Sequence, residues 1–292
     1  MFLELGPVLI AGVQFGAIYA LAALGLVVVH KATKTVNFAH GAFAMLGAFV
    51  SFLLVVQWEW NYWLAYLIVP PLIGCIAASL EFTILRRLRT ADMFTLIIAT
   101  IFLGISLSEV FRLTYNTELL AVPDLFEGPP IFIGDIFITR SALWIIAGAL
   151  ITAIICILLF RYGRLGRGMR AMASNVRGAQ LCGYSVDYVY MMAWFFGGAL
   201  AGLVGVFIAP VSGVSVELSI QIITAGFVAG VIGGFDSPKG AIVGGLMLGI
   251  AEGLAAAYVS SSLKNGVSFL LLFVVLMWRP EGLFPERTGR RV

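Results

Sequence analysis

The residues able to do chemistry in this 292-residue chain are few and scattered. Glu252 is a lone carboxylate in an apolar run, and Glu109 is another, three positions before Arg112. An intramembrane acid is a functional candidate by default, although the Glu109–Arg112 spacing suits a structural pair on one helix face. Two punctuated stretches interrupt the apolar pattern. One is NFAHG at 37–41, where Asn37 suits an N-cap and His40 follows; the other is GGFDSPKG at 233–240. Helix N-termini attract carboxylates, and backbone breaks at membrane depth survive only where they line a cavity or are buried in protein. Gln14, Tyr19, Thr100 and Ser106 complete the polar candidates for a solute pathway. The histidines His30 and His40 form no metal cluster, the three cysteines have no redox or metal spacing, and no catalytic constellation is visible. His40 reads as a hydrogen-bonded turn residue.

The elements holding these residues are membrane spans. The chain is 61% hydrophobic and only 11% charged, against roughly 25% charged in a soluble domain, so it reads as one polytopic, all-α transmembrane domain over 1–292. Nine apolar segments lie near 6–29, 38–57, 62–85, 93–113, 141–160, 188–210, 218–235, 240–258 and 263–278. Most reach the roughly 20 residues a crossing needs; the seventh and ninth are short or Gly-broken, giving eight or nine spans. The first basic residue, Lys31, follows the first segment, which predicts a retained span and an outside N-terminus. On that topology only Arg112, Arg140 and Lys264 of the 18 Lys and Arg residues face outward, the asymmetry of the positive-inside rule. The C-terminus is then cytoplasmic, both punctuated stretches sit at cytoplasmic ends, and the net charge of +3 is no nucleic-acid signature. The longest outer loop, 114–140, carries Glu118, Asp124, Glu127 and Asp135 and suits either an external partner or a solvated connector.

The longest inner loop, 161–187, holds five arginines. At 100° per residue Leu165, Met169, Met172, Val176 and Gln180 share one sector, opposite Arg164, Arg167, Arg170 and Arg177. This predicts one amphipathic helix, lying on anionic lipid or docking into a cytoplasmic partner. The Gly spacings at 197–205 and 240–253 predict close helix packing within the subunit.

Several stretches resemble the inner-membrane permease family of ATP-driven branched-chain amino-acid importers, of the LivH-like type: GAIYALAALGLVVV (16–29), VNFAHGAFAMLGAFV (36–50), GRGMRAMASNVRGAQLCGYS (166–185), GALAGLVGVFIAP (198–210), GFVAGVIGGFDSPKGAIVGGLMLGIAEG (226–253) and WRPEGLFP (278–285). Pro238-Lys239-Gly240 departs from the family's usual apolar residue and Pro before Gly-Ala. The resemblance implies a bacterial importer with a second permease, two cytoplasmic ATPases that bind the ATP, and an external solute-binding protein. It implies no cofactor in this chain, which has no phosphate-binding loop motif. It also implies that Arg164, Arg167, Met169, Arg170, Met172, Asn175, Val176 and Gly183 form the ATPase contact. Related permeases carry urea and short amides, and a stand-alone transporter or channel is the remaining alternative.

Overall fold

In the computed structural model, residues 2–115, 119–126, 128–133, 136–260 and 264–284 are described. The acidic positions Glu118, Glu127 and Asp135 and the tail arginines 287, 290 and 291 lie outside them. The described chain forms an all-α bundle of eleven α-helices with one short hairpin. Every expected apolar segment is helical. Seven helices are long and apolar enough to cross a membrane, while α9 (Leu218–Gly233) and α11 (Lys264–Trp278) are shorter.

Local chemistry sets the boundaries. Helix α1 (Phe2–Thr33) stops where Lys34 takes a left-handed φ of 57° and its N–H bonds the His30 carbonyl at 2.8 Å. Helix α2 (His40–Phe52) follows a short non-helical stretch, 34–39, and ends in a π-helical turn, Leu53–Gln57. Asn61 caps α3 (Tyr62–Thr83), Thr139 caps α5 (Arg140–Tyr162), Ser185 caps α8 (Val186–Ser212) and Ser237 caps α10 (Pro238–Tyr258), each accepting a backbone N–H with its side-chain oxygen. Asp92 does the same before α4 (Met93–Tyr115), accepting from both the hydroxyl and N–H of Thr95, which hold its carboxyl below the usual range. The described part of the 114–140 loop contains an antiparallel hairpin, β1 (Ile131–Ile133) and β2 (Ile136–Ile138), that the hydropathy pattern did not announce.

Helix α1 is the axis of the bundle and packs on α10, α8, α9 and α5. Its seam with α10 is made of glycines: a Cβ on Gly249 would lie 2.2 Å from the Gly16 nitrogen. Helix α8 approaches α2 as closely, with Gly205 against the Ala44 carbonyl at 2.2 Å from where a Cβ would be. Both expected Gly blocks thus pack within the subunit. Helices α3, α4, α5 and α11 instead expose apolar side chains such as Leu67, Leu113, Ile155 and Phe273, as a lipid-facing surface does.

Loops after odd-numbered spans gather at one end and loops after even-numbered spans at the other. At one end Lys34 pairs with Asp236, and Arg86 and Arg89 pair with Asp187. At the other, Leu120 and Val214 bridge through backbone bonds of 3.0 and 2.8 Å, and Trp63 meets Trp144 edge-on at 5.0 Å. The first group is called the basic end below.

Candidate functional sites

The sequence-derived pathway residues fall into two separate places. Towards the end opposite the basic one, Glu252 on α10 is buried and accepts a 2.9 Å bond from the Tyr19 hydroxyl of α1 and a second from Ser268 of α11. Its carboxylate therefore ties three helices together. Ser268 was missed because a lone serine in an apolar helix gives no signal. Gln14 is buried one turn earlier on α1. Glu109 pairs with Arg112, as their spacing suggested. Ser106 faces outward on α4 and joins neither place; the buried stripe of that helix is Thr100, Gly104 and Ser108, at four-residue spacing.

The second place is the start of α2, and here the structure corrects the topology drawn from sequence. NFAHG does not sit at the basic end but inside the bundle. His40 packs on Gly25, eight residues before the end of α1 at Thr33, or about 12 Å inward at 1.5 Å per residue. The Phe38 N–H donates to Thr100 Oγ1 at 3.2 Å, seven residues into α4. Gly41 lies against Ser219 and Ile223, near the far end of α9. Asn37 accepts the Ala39 N–H at 3.0 Å through Oδ1, closing the turn ahead of the helix.

The remaining polar atoms of this turn are unmatched. His40 is 0% exposed, and the Ala22 carbonyl faces its ring, yet neither ring nitrogen makes a hydrogen bond of ordinary geometry among the described residues; nor does Asn37 Nδ2. An unsatisfied buried group costs about 1–3 kcal/mol, so the unmatched Asn37 amide at this turn calls for an explanation.

Between this turn and the basic end runs a chain of rings. Phe38 meets Phe227 at 5.8 Å, Phe227 meets Phe235 at 5.5 Å, and Phe235 meets His30 at 5.4 Å. Below them Lys34 Nζ pairs with Asp236 at 3.2 Å, with His30 Nε2 4.0 Å from the same oxygen. GGFDSPKG therefore does lie at the basic end. The WRPEGLFP tail folds onto it, with the N–H groups of Leu283 and Phe284 bonding the Ile232 and Gly233 carbonyls at 2.9 and 3.1 Å. These bonds satisfy acceptors that the end of α9 leaves open.

The arginine loop is two helices, not one. Helix α6 (Arg164–Ser174) stops at Asn175, whose side chain accepts the Gly178 N–H at 3.0 Å and starts α7 (Val176–Leu181). Met169 and Met172 are buried against the bundle. Arg167 bonds the Tyr162 carbonyl at 2.7 Å, and Arg170 bonds those of Phe160 and Arg161 at 2.7 and 3.0 Å. Two of the arginines thus cap the C-terminus of α5, where cations are favoured. The outward surface comprises Arg164, Asn175, Val176, Arg177, Leu181 at 90% exposure, and Gly183 with its φ of 84°. Leu181 was overlooked because it falls outside the single-helix stripe.

Sequence reading also missed a charge network at this end. Buried Glu81 on α3 pairs with Arg89, which pairs with Asp187 at the start of α8 and stacks 4.8 Å over the Tyr190 ring. It fastens α3 to α8.

A family model described as the branched-chain amino acid transport system permease component matches residues 8–276. The chain belongs to this permease family. The permease is 33% identical over 290 residues to the high-affinity branched-chain amino acid transport system permease protein LivH of Salmonella typhimurium, covering 93% of this chain and 92% of that one. The LivH of Escherichia coli K12 matches to the same extent. BraD of Pseudomonas aeruginosa, with the same description, is 28% identical over 94% of both chains. Among solved structures, PsaBC from Streptococcus pneumoniae in complex with Fab aligns with a TM-score of 0.50 at 14% identity, over 94% of the permease and 91% of that chain. That likeness is one of fold. With its membrane-spanning helices, the permease is a multi-pass membrane protein.

Proposed function

We propose that this permease is the transmembrane subunit of an ATP-driven importer of branched-chain amino acids in the bacterial inner membrane. A second permease completes the pore, two cytoplasmic ATPases bind and hydrolyse ATP, and an external binding protein delivers the solute. The observation that carries this reading is the end-to-end match to relatives described as branched-chain amino acid permeases. The distribution of Lys and Arg supports a cytoplasmic basic end and an outside N-terminus.

On this reading the coupling contact lies on α7 rather than on the methionine stripe of α6. Val176 and Leu181 are the apolar side chains left outward there, beside Arg177, and an exposed apolar knob rimmed by charge suits a groove on a motor subunit. Leu181→Asp is expected to insert normally and lose most ATPase association in detergent pull-downs; full association would remove α7 from the contact.

Uptake of labelled leucine, with urea and acetamide as competitors, in cells with and without the gene tests the cargo. An ATP-dependent leucine flux lost on deletion and unaffected by the amides supports the reading. A retained leucine flux with loss of amide uptake would move the permease to amide transport and leave the architecture unchanged.

A further inference from the structure

The start of α2 has a composition that packing alone does not explain. A helix N-terminus presents N–H groups and a partial positive charge, and here it is buried among α1, α4, α8 and α9, at Gly25, Thr100, Gly197 and Ser219. The Asn37 oxygen is committed to the Ala39 N–H, which leaves the NH₂ of that amide as its unmatched group. His40 adds an imidazole, one of whose nitrogens carries a hydrogen even when neutral. The Ala22 carbonyl faces that ring, so the free hydrogen donor beside this positive helix end is the Asn37 amide.

We propose that this turn is an internal station for the carboxylate of the transported solute, with the Asn37 amide as its side-chain donor and the buried His40 ring beside it. The proposal rests on the reading that the permease conducts amino acids and names the part of the amino acid recognised. Discontinuous helices in transporters aim their N-termini at anionic groups in this way. Donors without a cation select a carboxylate over an ammonium group and hold it without trapping it. Asp236 pairs with Lys34 at the basic end and Glu252 bonds Tyr19 and Ser268 on another seam, while Glu217, two residues before Ser219, is exposed.

The geometry also supplies a closed door. Phe38, Phe227 and Phe235 lie between the station and the Lys34–Asp236 pair, and the backbone breaks at both flanks of this plug, at Lys34 with φ 57° and Gly234 with φ 101°. The close approaches at the station are made by residues without side chains, Gly25 against the His40 ring and Gly104 against Ala39. A shift of α1 or α4 would open room there without displacing a bulky group. Hydrogen bonds left unmade in the closed arrangement are then made by the solute, so occupancy and opening are linked.

The test uses the whole importer complex, reconstituted with its ATPases, carrying Thr100→Cys, at the same turn, on a background with Cys75, Cys156 and Cys182 replaced by serine. Labelling by a small membrane-permeant thiosulfonate during ATP turnover is followed with leucine, 4-methylpentanoate (carboxylate only) or leucinamide (ammonium only) present. Protection by the two carboxylates and not by leucinamide is the expected result. Equal protection by leucinamide, protection by none, or no labelling at all would overturn the station. Should Thr100→Cys fail to assemble, Ser219→Cys, against Gly41, reports on the same turn under the same criteria. Asn37→Asp keeps the oxygen that caps Ala39 and replaces the donor by a negative charge; a fall in leucine uptake of about 10- to 100-fold with ATPase assembly intact is expected, and unchanged uptake would count against the station. Absent leucine uptake by the wild-type complex would refute the cargo alone, because protection by 4-methylpentanoate still decides the station.

Discussion

His40 fits where it does because Gly25 has no side chain. A Cβ at Gly25 would come within 2.4 Å of the imidazole Cε1, and the ring has no open space to retreat into. Gly25→Ala is therefore expected to destabilise the permease by about 1–3 kcal/mol, the usual toll of overpacking. Adding His40→Ala should recover most of that loss. Thermal melts of the two single variants and the double in detergent give the coupling directly. On the other seam, Tyr19→Phe removes a donor from the buried Glu252 carboxylate and should lower stability by about 1–3 kcal/mol, read as a shift in melting temperature. The sequence singled out Asn37, His40, Tyr19 and Glu252 as polar groups in apolar surroundings. It could not pair Tyr19 with Glu252, 233 positions apart, because only the glycine seam between α1 and α10 brings them together. The buried stripe of α4, Thr100, Gly104 and Ser108 at four-residue spacing, was not drawn from the sequence either, which grouped Thr100 with Ser106, a residue off that line.

At the scale of elements, the arginine loop shows how a helical wheel misleads. The stripe Leu165, Met169, Met172, Val176 assumes one uninterrupted helix, but Asn175 caps a new one, and side-chain capping competes with helix continuation. The methionines then face the bundle, while Val176 turns out to solvent. Met172→Asp should thus impair folding and insertion of the permease itself, whereas Leu181→Asp should spare both; protease sensitivity of membrane-inserted protein separates the two. Arg170→Ala, which frees two carbonyls at the end of α5, should cost about 1 kcal/mol at this exposed site and quicken cleavage in the 161–175 region. Helix α2 teaches a related lesson. Its apolar run was visible from 38 onwards, but a hydropathy segment carries no information on depth, and nothing local says that the preceding turn folds inward past Thr100.

For the whole molecule, stability rests on close backbone approach rather than on large side chains, since lipid gives helices little hydrophobic reason to associate. Gly249→Ala, aimed at the Gly16 backbone, should destabilise the bundle by about 1–3 kcal/mol, seen as earlier aggregation in size-exclusion profiles after heating. What the sequence determined by itself was the all-α membrane class, the apolar segments, their alternation between two ends and the packing role of the glycine blocks. Each of these follows from composition and spacing along the chain, because a bilayer demands about 20 apolar residues per crossing and sorts positive charge by side. The tertiary structure alone decided the depth of Asn37 and His40, the Glu252 linkage, the inward turn of Met169 and Met172, and the docking of the tail on α9. Those depend on which helices meet and at what height, and the burial that fixes helix contacts is a property of the assembled bundle, not of any one segment.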